Sequence, residues 1–179
     1  MAETGAIAVI GGLESAKLQE CLSVFAAECR SRGMKIAGVI AEAHGLPDRT
    51  CSAGILRDIV SAEEFSIYLP ETPAGTACHL DAHGVDAACA SVLDQLPACD
   101  LVVLSKFGKL EAAGAGLYPA FRAAIAAGKP VVTSVSPRHE AAWRGFAPHA
   151  AYIDSDREAL ADWLLSLEGN AAPPAAAQR

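Results

Sequence analysis

Two lysines follow an apolar run in the segment LVVLSKFGKLEAAGAGL, residues 101–117. Residues of the type found in buried strands come first, and Lys106 and Lys109 stand around Phe107 and Gly108. Ammonium groups favour negative charge, so this spacing predicts an anion site after the strand. A structural interpretation stays open, in which Lys109 pairs with Glu111 and Lys106 covers Phe107 with its aliphatic stem.

A glycine turn, GGLESAKL at residues 11–18, joins another apolar run to a helical pattern. It resembles the phosphate-binding motif G-x-x-x-x-G-K-[ST] in Gly11 and Lys17, but has Ala16 for the second glycine and Leu18 for the hydroxyl residue. The lost hydroxyl argues against magnesium, whereas a helix N-terminus still offers free N–H groups to an anion. The alternative is an ordinary turn with a solvated lysine. The anion-binding candidates in this turn are Gly11, Gly12, Ser15 and Lys17.

Short apolar runs alternate with helical periodicity along the chain, which positions these candidates. Strands are predicted at 6–10, 35–43, 100–105, 130–136 and 150–154, and helices at 15–33, 84–96, 117–127, 138–146 and 156–167, with Ser15 capping the first helix. The runs at 53–60 and 63–69 predict a small hairpin. This alternation favours an α/β fold with a doubly wound, mostly parallel sheet, whose sites lie outside the carboxyl ends of the strands.

Length and composition narrow the class of protein. The 179 residues, 52% of them apolar, predict a single domain over 1–168, and the unpatterned GNAAPPAAAQR predicts a disordered tail over 169–179. A formal net charge of -7 argues against a nucleic-acid binder. The N-terminus resembles neither a signal peptide nor a membrane span, so we expect a cytoplasmic protein without membrane contact.

Five of the six cysteines fall into two groups, and the sixth, Cys99, precedes a predicted strand without a partner signal. Cys21, Cys29 and Cys89 lie on apolar helix faces and are expected in the core. Cys51 and Cys78 lie in polar loops, where they form either an inert pair or a thiol pair for a soft metal or redox switch.

Several blocks in register resemble a known family. The blocks GMKIAGVI, RTCSAGILRDI, GTACHLD, Lys-Phe-Gly-Lys-x-Glu and VVTSVSPRHEAAWRGF resemble a bacterial family of unknown function, related to P-loop nucleotide hydrolases and found near molybdenum-transport genes. The likeness covers most of the chain. It implies a P-loop NTPase-like fold with degraded Walker motifs, and a link to molybdate or tungstate. Cys78, His79 and His83 have the spacing C-H-x-x-x-H of a metal site, but the family usually has Arg where this chain has His79, which weakens a metal role for His79.

The segment after residue 104 is also similar, more remotely, to small nucleoside-triphosphatases whose second strand ends Asp-Glu-x-Gly-Lys-x-Glu. This chain has Ser105 and Lys106 where those proteins have the two carboxylates, while Gly108, Lys109 and Glu111 persist. The resemblance implies that magnesium-dependent hydrolysis is lost and that Lys106 supplies positive charge instead. Arg138 and His139 follow the next predicted strand and join the site if the loops converge.

The sequence therefore favours a non-hydrolysing protein that binds a small anion or a nucleotide, with molybdate or tungstate among the candidate ligands and without magnesium. One alternative is a nucleoside-triphosphatase or phosphotransferase with a lysine-rich site. Another is a regulatory subunit that contacts a protein partner or a second copy of itself. The full set of site candidates is Gly11, Gly12, Ser15, Lys17, Ser105, Lys106, Gly108, Lys109, Glu111 and Arg138.

Overall fold

The computed structural model describes residues 6–43, 53–69, 71 and 80–170. The strands are β1 (Ile7–Gly11), β2 (Ile36–Ala43), β3 (Ala53–Asp58), β4 (Glu64–Ser66), β5 (Leu101–Phe107), β6 (Val131–Val135) and β7 (Ala151–Asp154). The helices are α1 (Ser15–Ser31), α2 (Ala82–Gln95), α3 (Lys109–Ala112), α4 (Tyr118–Ala126), α5 (Glu140–Phe146) and α6 (Arg157–Asn170), with short 3-10 turns at Leu96–Ala98 and Pro137–His139.

The strands form one sheet in the order β4-β3-β2-β5-β6-β1-β7. The five strands from β2 to β7 in this order are parallel, and β3 and β4 add an antiparallel hairpin at one edge. The predicted α/β class, the mostly parallel sheet and the hairpin are confirmed. Strand β6 lies between β1 and β5. The turn after β1 is therefore one strand further from the segment after β5 than it would be if β1 and β5 were neighbours.

Helices cover both faces of the sheet. One core packs α2, α4 and α5 against side chains such as Val102 and Leu104 of β5, and the other packs α1 and α6 against Leu101 and Val103. Strand β5 is therefore buried on both faces, as its continuous apolar run requires. Among the described residues, no helix is long and apolar enough to cross a membrane.

Several element boundaries differ from the predictions, and three of them bear on the site or on the tail. Glu14, without a side-chain hydrogen bond, occupies the N-cap of α1, so Ser15 is the first helical residue rather than the cap. Strand β5 continues through Lys106 to Phe107, because Phe107 pairs with Val135 and its ring packs against Phe121 and Trp143. Helix α6 runs to Asn170, two residues into the predicted tail, and 171–179 lie outside the described residues.

Gly38 allows β2 and β5 to pair closely. Its φ is +145°, and a Cβ at this position would overlap the backbone carbonyl of Val103 on the neighbouring strand. Only glycine adopts this conformation without strain, so the central pairing depends on the missing side chain.

We expect Gly38→Ala to lower the free energy of unfolding by more than about 4 kcal/mol, because backbone atoms of β5 cannot move aside. Gly128→Ala is the matched control, since Gly128 has a φ of +65° but open space around it, and it should cost about 1–2 kcal/mol. Urea denaturation measures both variants. Equal midpoints for the two would contradict this account of the β2–β5 pairing.

Asp58 fastens the hairpin to α2. Its Oδ1 accepts hydrogen bonds from the N–H groups of Val60 and Ser61 at 2.8 and 2.9 Å, and its Oδ2 accepts from Ser91 Oγ and Gln95 Nε2, both at 2.7 Å. The residue is 1% exposed. Burial by itself raises the pKa of Asp58, but these hydrogen bonds outweigh it and bring the pKa below its usual range.

A carboxyl whose pKa is lowered on folding stabilises the protein above its unfolded-state pKa, about 3.9, and loses that contribution as the pH falls through the folded-state value. Asp58→Asn turns one acceptor into a donor that faces Gln95, and should cost about 1–3 kcal/mol at neutral pH. Unfolding free energies measured from pH 7 to pH 2 should show the gap between wild type and variant narrowing in acid. A constant gap would contradict this role for the Asp58 charge.

Candidate anion-binding site

A cleft with a volume of about 280 Å³ opens at the carboxyl edge of the parallel strands. Strands β2 and β5, helix α1, the hairpin, α2 and the segment 108–117 surround it. The polar and charged lining residues include Ser15, Gln19, Ser105, Lys106, Lys109, Glu111, Arg138 and His139. The cleft is also lined by Leu56, Ile67, Leu80, Val85 and Leu110, which we call its apolar wall.

Gln19 holds the floor of this cleft together. Its Nε2 donates to the carbonyl of Ser105 at 2.8 Å, and its Oε1 accepts from the N–H of Ala41 at 2.9 Å. The hydroxyl of Ser134 donates to the same Ser105 carbonyl at 2.8 Å. These bonds tie α1 to the ends of β2, β5 and β6. Sequence analysis missed Gln19, which is 6% exposed in the structure. The signal that the sequence offered was a single amide beside Leu18 on an otherwise apolar helix face.

Glu111 shapes the segment that follows β5. Its Oε2 accepts from the N–H of Gly108 and its Oε1 from the N–H of Leu117, both at 2.9 Å, and the residue is 6% exposed. Burial raises the pKa of the Glu111 carboxyl, while the two N–H groups and the charge of Lys106 offset part of that rise. Glu111 thus closes the chain from 108 to 117 into a fixed loop around α3.

The three cations of the cleft form no ion pair with a described residue. None of the ion pairs there involves Lys106, Lys109 or Arg138, so the Lys109–Glu111 pair considered above is not formed. Lys106 is half-buried, and Lys109 and Arg138 are exposed. Glu111 also lines the cleft, and its charge interacts with that of Lys106 without a salt bridge. Three cations and one carboxyl among the described lining residues favour a positive local field in a chain whose net charge is -7.

The glycine turn contributes little to this cleft. Only three residues, Gly12–Glu14, connect β1 to α1, and the helix begins two residues before Lys17. The Lys17 side chain is 62% exposed, and its Nζ lies 3.7 Å from Glu14 Oε1. Gly11, Gly12 and Lys17 do not line the cleft, whereas Ser15 lines it from the first turn of α1.

The remaining candidates concern thiols and metals. Cys51, Cys78 and His79 lie outside the described residues. Cys29 and Cys89 are buried, as expected, whereas Cys21 is only half-buried at the edge of the core. Burial raises the pKa of the Cys29 thiol to about 11. Within the described ranges, no cluster of three or more His, Cys, Asp or Glu side chains could hold a metal ion.

Replacing Glu111 tests whether it organises the loop. Glu111→Ala leaves the buried N–H groups of Gly108 and Leu117 unpaired, at about 1–3 kcal/mol each, so we expect a loss of about 2–4 kcal/mol in unfolding free energy. Glu63→Ala, at an exposed glutamate in the hairpin turn, is the control and should change it by less than about 0.5 kcal/mol. Chemical denaturation that does not separate the two variants would show that Glu111 does not stabilise the loop.

Comparisons with known proteins agree with the sequence resemblance. The family described as Protein of unknown function (DUF2478) matches residues 7–163. The chain is 36% identical over 132 residues to Molybdenum import ATP-binding protein ModC 2 of Bradyrhizobium diazoefficiens, a match that covers 72% of this chain and 14% of that protein. No solved structure matches. The chain belongs to the DUF2478 family.

Proposed function

We propose that this protein binds an anion in the cleft and does so without magnesium. The observation that carries the proposal is the set of three cations, Lys106, Lys109 and Arg138, that line one cleft and form no ion pair with a described residue. Charge-assisted hydrogen bonds from Lys and Arg to oxyanions are stronger than those between neutral groups. The relative named for molybdenum import makes molybdate and tungstate the first ligands to test, followed by nucleotides.

The residues at the strand ends favour binding over hydrolysis. Ser105 and Lys106 stand where a hydrolase of the similar type has carboxylates, and Leu18 is packed into the core. Glu111 engages both carboxylate oxygens with backbone N–H groups, so its proposed role is to hold the loop. An enzyme that uses a lysine-rich site is the competing proposal, and phosphate release that is lost in Lys106→Ala would favour it.

Lys106 is proposed as the central ligand-binding residue. It is the half-buried cation of the cleft, so its charge is less screened by solvent than the charges of Lys109 and Arg138. The Ser105 hydroxyl and the first turn of α1 at Ser15 can add donors. Gly11, Gly12 and Lys17 are left outside this proposed site.

The proposal predicts a thermal shift with oxyanions. A ligand at a hundredfold excess over its Kd stabilises the folded state by about 2.7 kcal/mol, which raises the Tm of a protein of this size by about 5–10 °C. Molybdate, tungstate, sulfate, phosphate, ATP and GTP should be compared with and without magnesium. We expect a shift with an oxyanion that magnesium does not change and that added salt reduces.

Two lysine variants locate the site. Lys106→Ala should weaken binding about 10- to 100-fold, because it removes a charged hydrogen bond worth about 1.5–3 kcal/mol. Lys17→Ala is the matched control and should bind as the wild type does. A magnesium-dependent nucleotide shift that is lost only in Lys17→Ala would contradict the proposal and indicate nucleotide binding at the glycine turn.

A second candidate function is regulation of a molybdenum importer. It is favoured by the relative, in which the matching segment makes up a minor part of a longer molybdenum import ATP-binding protein. We infer that the segment binds the anion and then changes the activity of such an ATPase. Adding the purified chain to a molybdenum import ATPase should change ATP hydrolysis in a molybdate-dependent way. Unchanged hydrolysis would refute this candidate and leave anion binding unaffected.

A further inference from the structure

The apolar wall lines the same cleft as the cations, which restricts the kind of anion that fits. Resting on the proposed function, we propose that the ligand is an organic anion, in which a phosphate or similar oxyanion group carries an apolar or aromatic group. The oxyanion lies at Ser105 and Lys106, and the apolar group lies against Leu56, Ile67 and Leu110.

The apolar wall is held in place by bonds outside the cleft. Leu56 belongs to β3, and Ile67 follows β4, so the hairpin supplies one part of the wall. Asp58 joins this hairpin to α2 through Ser91 and Gln95. The N–H of Asp81 also donates to the carbonyl of Ile67 at 2.8 Å, which fixes the start of α2 beside the hairpin. The wall therefore keeps its position when the cleft contains only water.

The volume of the cleft also favours a larger ligand. At ~30 Å³ per molecule, 280 Å³ has room for about nine waters. A tetrahedral oxyanion of five heavy atoms leaves much of that space filled with water. Clefts that bind small organic molecules begin at about 300 Å³, close to the value here.

Water in the apolar part would be poorly hydrogen-bonded. Leu56 and Ile67 offer it no polar side-chain atoms, and Leu110 projects into the cleft from the loop that Glu111 closes. Displacing poorly ordered water with an apolar group gains affinity. A ligand with both an anionic and an apolar end thus contacts the polar lining residues and the apolar wall, whereas a bare oxyanion contacts only the polar residues.

Phosphate and phenyl phosphate are a suitable pair of probes, because they share the oxyanion and differ in the ring. Titration calorimetry should give phenyl phosphate an affinity about 10- to 100-fold higher, the amount expected from burying a phenyl ring. Leu110→Ser should reduce this ratio, because it places a hydroxyl in the apolar wall. Leu165→Ser, at an exposed leucine remote from the cleft on α6, should leave both affinities unchanged.

The outcomes separate this inference from the function on which it rests. Equal affinities for phosphate and phenyl phosphate, both weakened by Lys106→Ala, would overturn the organic-anion inference and leave anion binding in place. A ratio that Leu110→Ser does not alter would also overturn it, because the ring would then bind elsewhere. Failure of phosphate, phenyl phosphate and molybdate to bind at all would overturn the proposed function itself.

Discussion

The carbonyl of Ser105 is the point on which the geometry of the cleft depends. It lies in the buried strand β5 and accepts hydrogen bonds from Gln19 and Ser134, so an amide from α1 and a hydroxyl from β6 meet at one oxygen. Gln19 also accepts the N–H of Ala41 and thereby fixes the end of β2. A buried carbonyl or amide without such partners costs about 1–3 kcal/mol, so these groups hold one another in place. Lys106 is the next residue along β5, so the fixed carbonyl sets the backbone position from which the Lys106 side chain extends.

Two buried acids, Asp58 and Glu111, stabilise the elements around the cleft, and their pKa values are shifted in opposite directions. Asp58 accepts four hydrogen bonds, and its pKa is lowered, so it holds the hairpin and α2 as a charged group. Glu111 accepts two backbone N–H groups, and burial raises its pKa, so its charge is less well compensated. Both carboxylates accept hydrogen bonds from neighbouring protein groups, and neither forms an ion pair with the described cations of the cleft, although the charge of Lys106 offsets part of the pKa rise of Glu111. In the proposed site, the charges of Lys106, Lys109 and Arg138 attract the anion, although the chain as a whole is acidic.

Periodicity was sufficient to predict the strands, the hairpin and the mostly parallel sheet, because apolar spacing directly reflects burial. Lys106 near the end of β5 and Lys109 just after it were predicted for the same reason, since they interrupt a buried run. Long-range hydrogen bonds leave weaker signals: Gln19 and Asp58 look like ordinary polar residues until their partners, distant in sequence, are known. The placement of Lys17 depends on where α1 begins and on β6 lying between β1 and β5, and neither is encoded in the local motif.

The most direct test of a cation-lined anion site is a crystal structure of the protein with tungstate, located by its anomalous scattering. The account predicts a tungsten atom in the cleft, with its oxygens within hydrogen-bond distance of Lys106 Nζ and the Ser105 hydroxyl, and no magnesium beside it. A tungsten atom bound instead at Gly12 and the Lys17 ammonium, with the cleft empty at saturating tungstate, would contradict it.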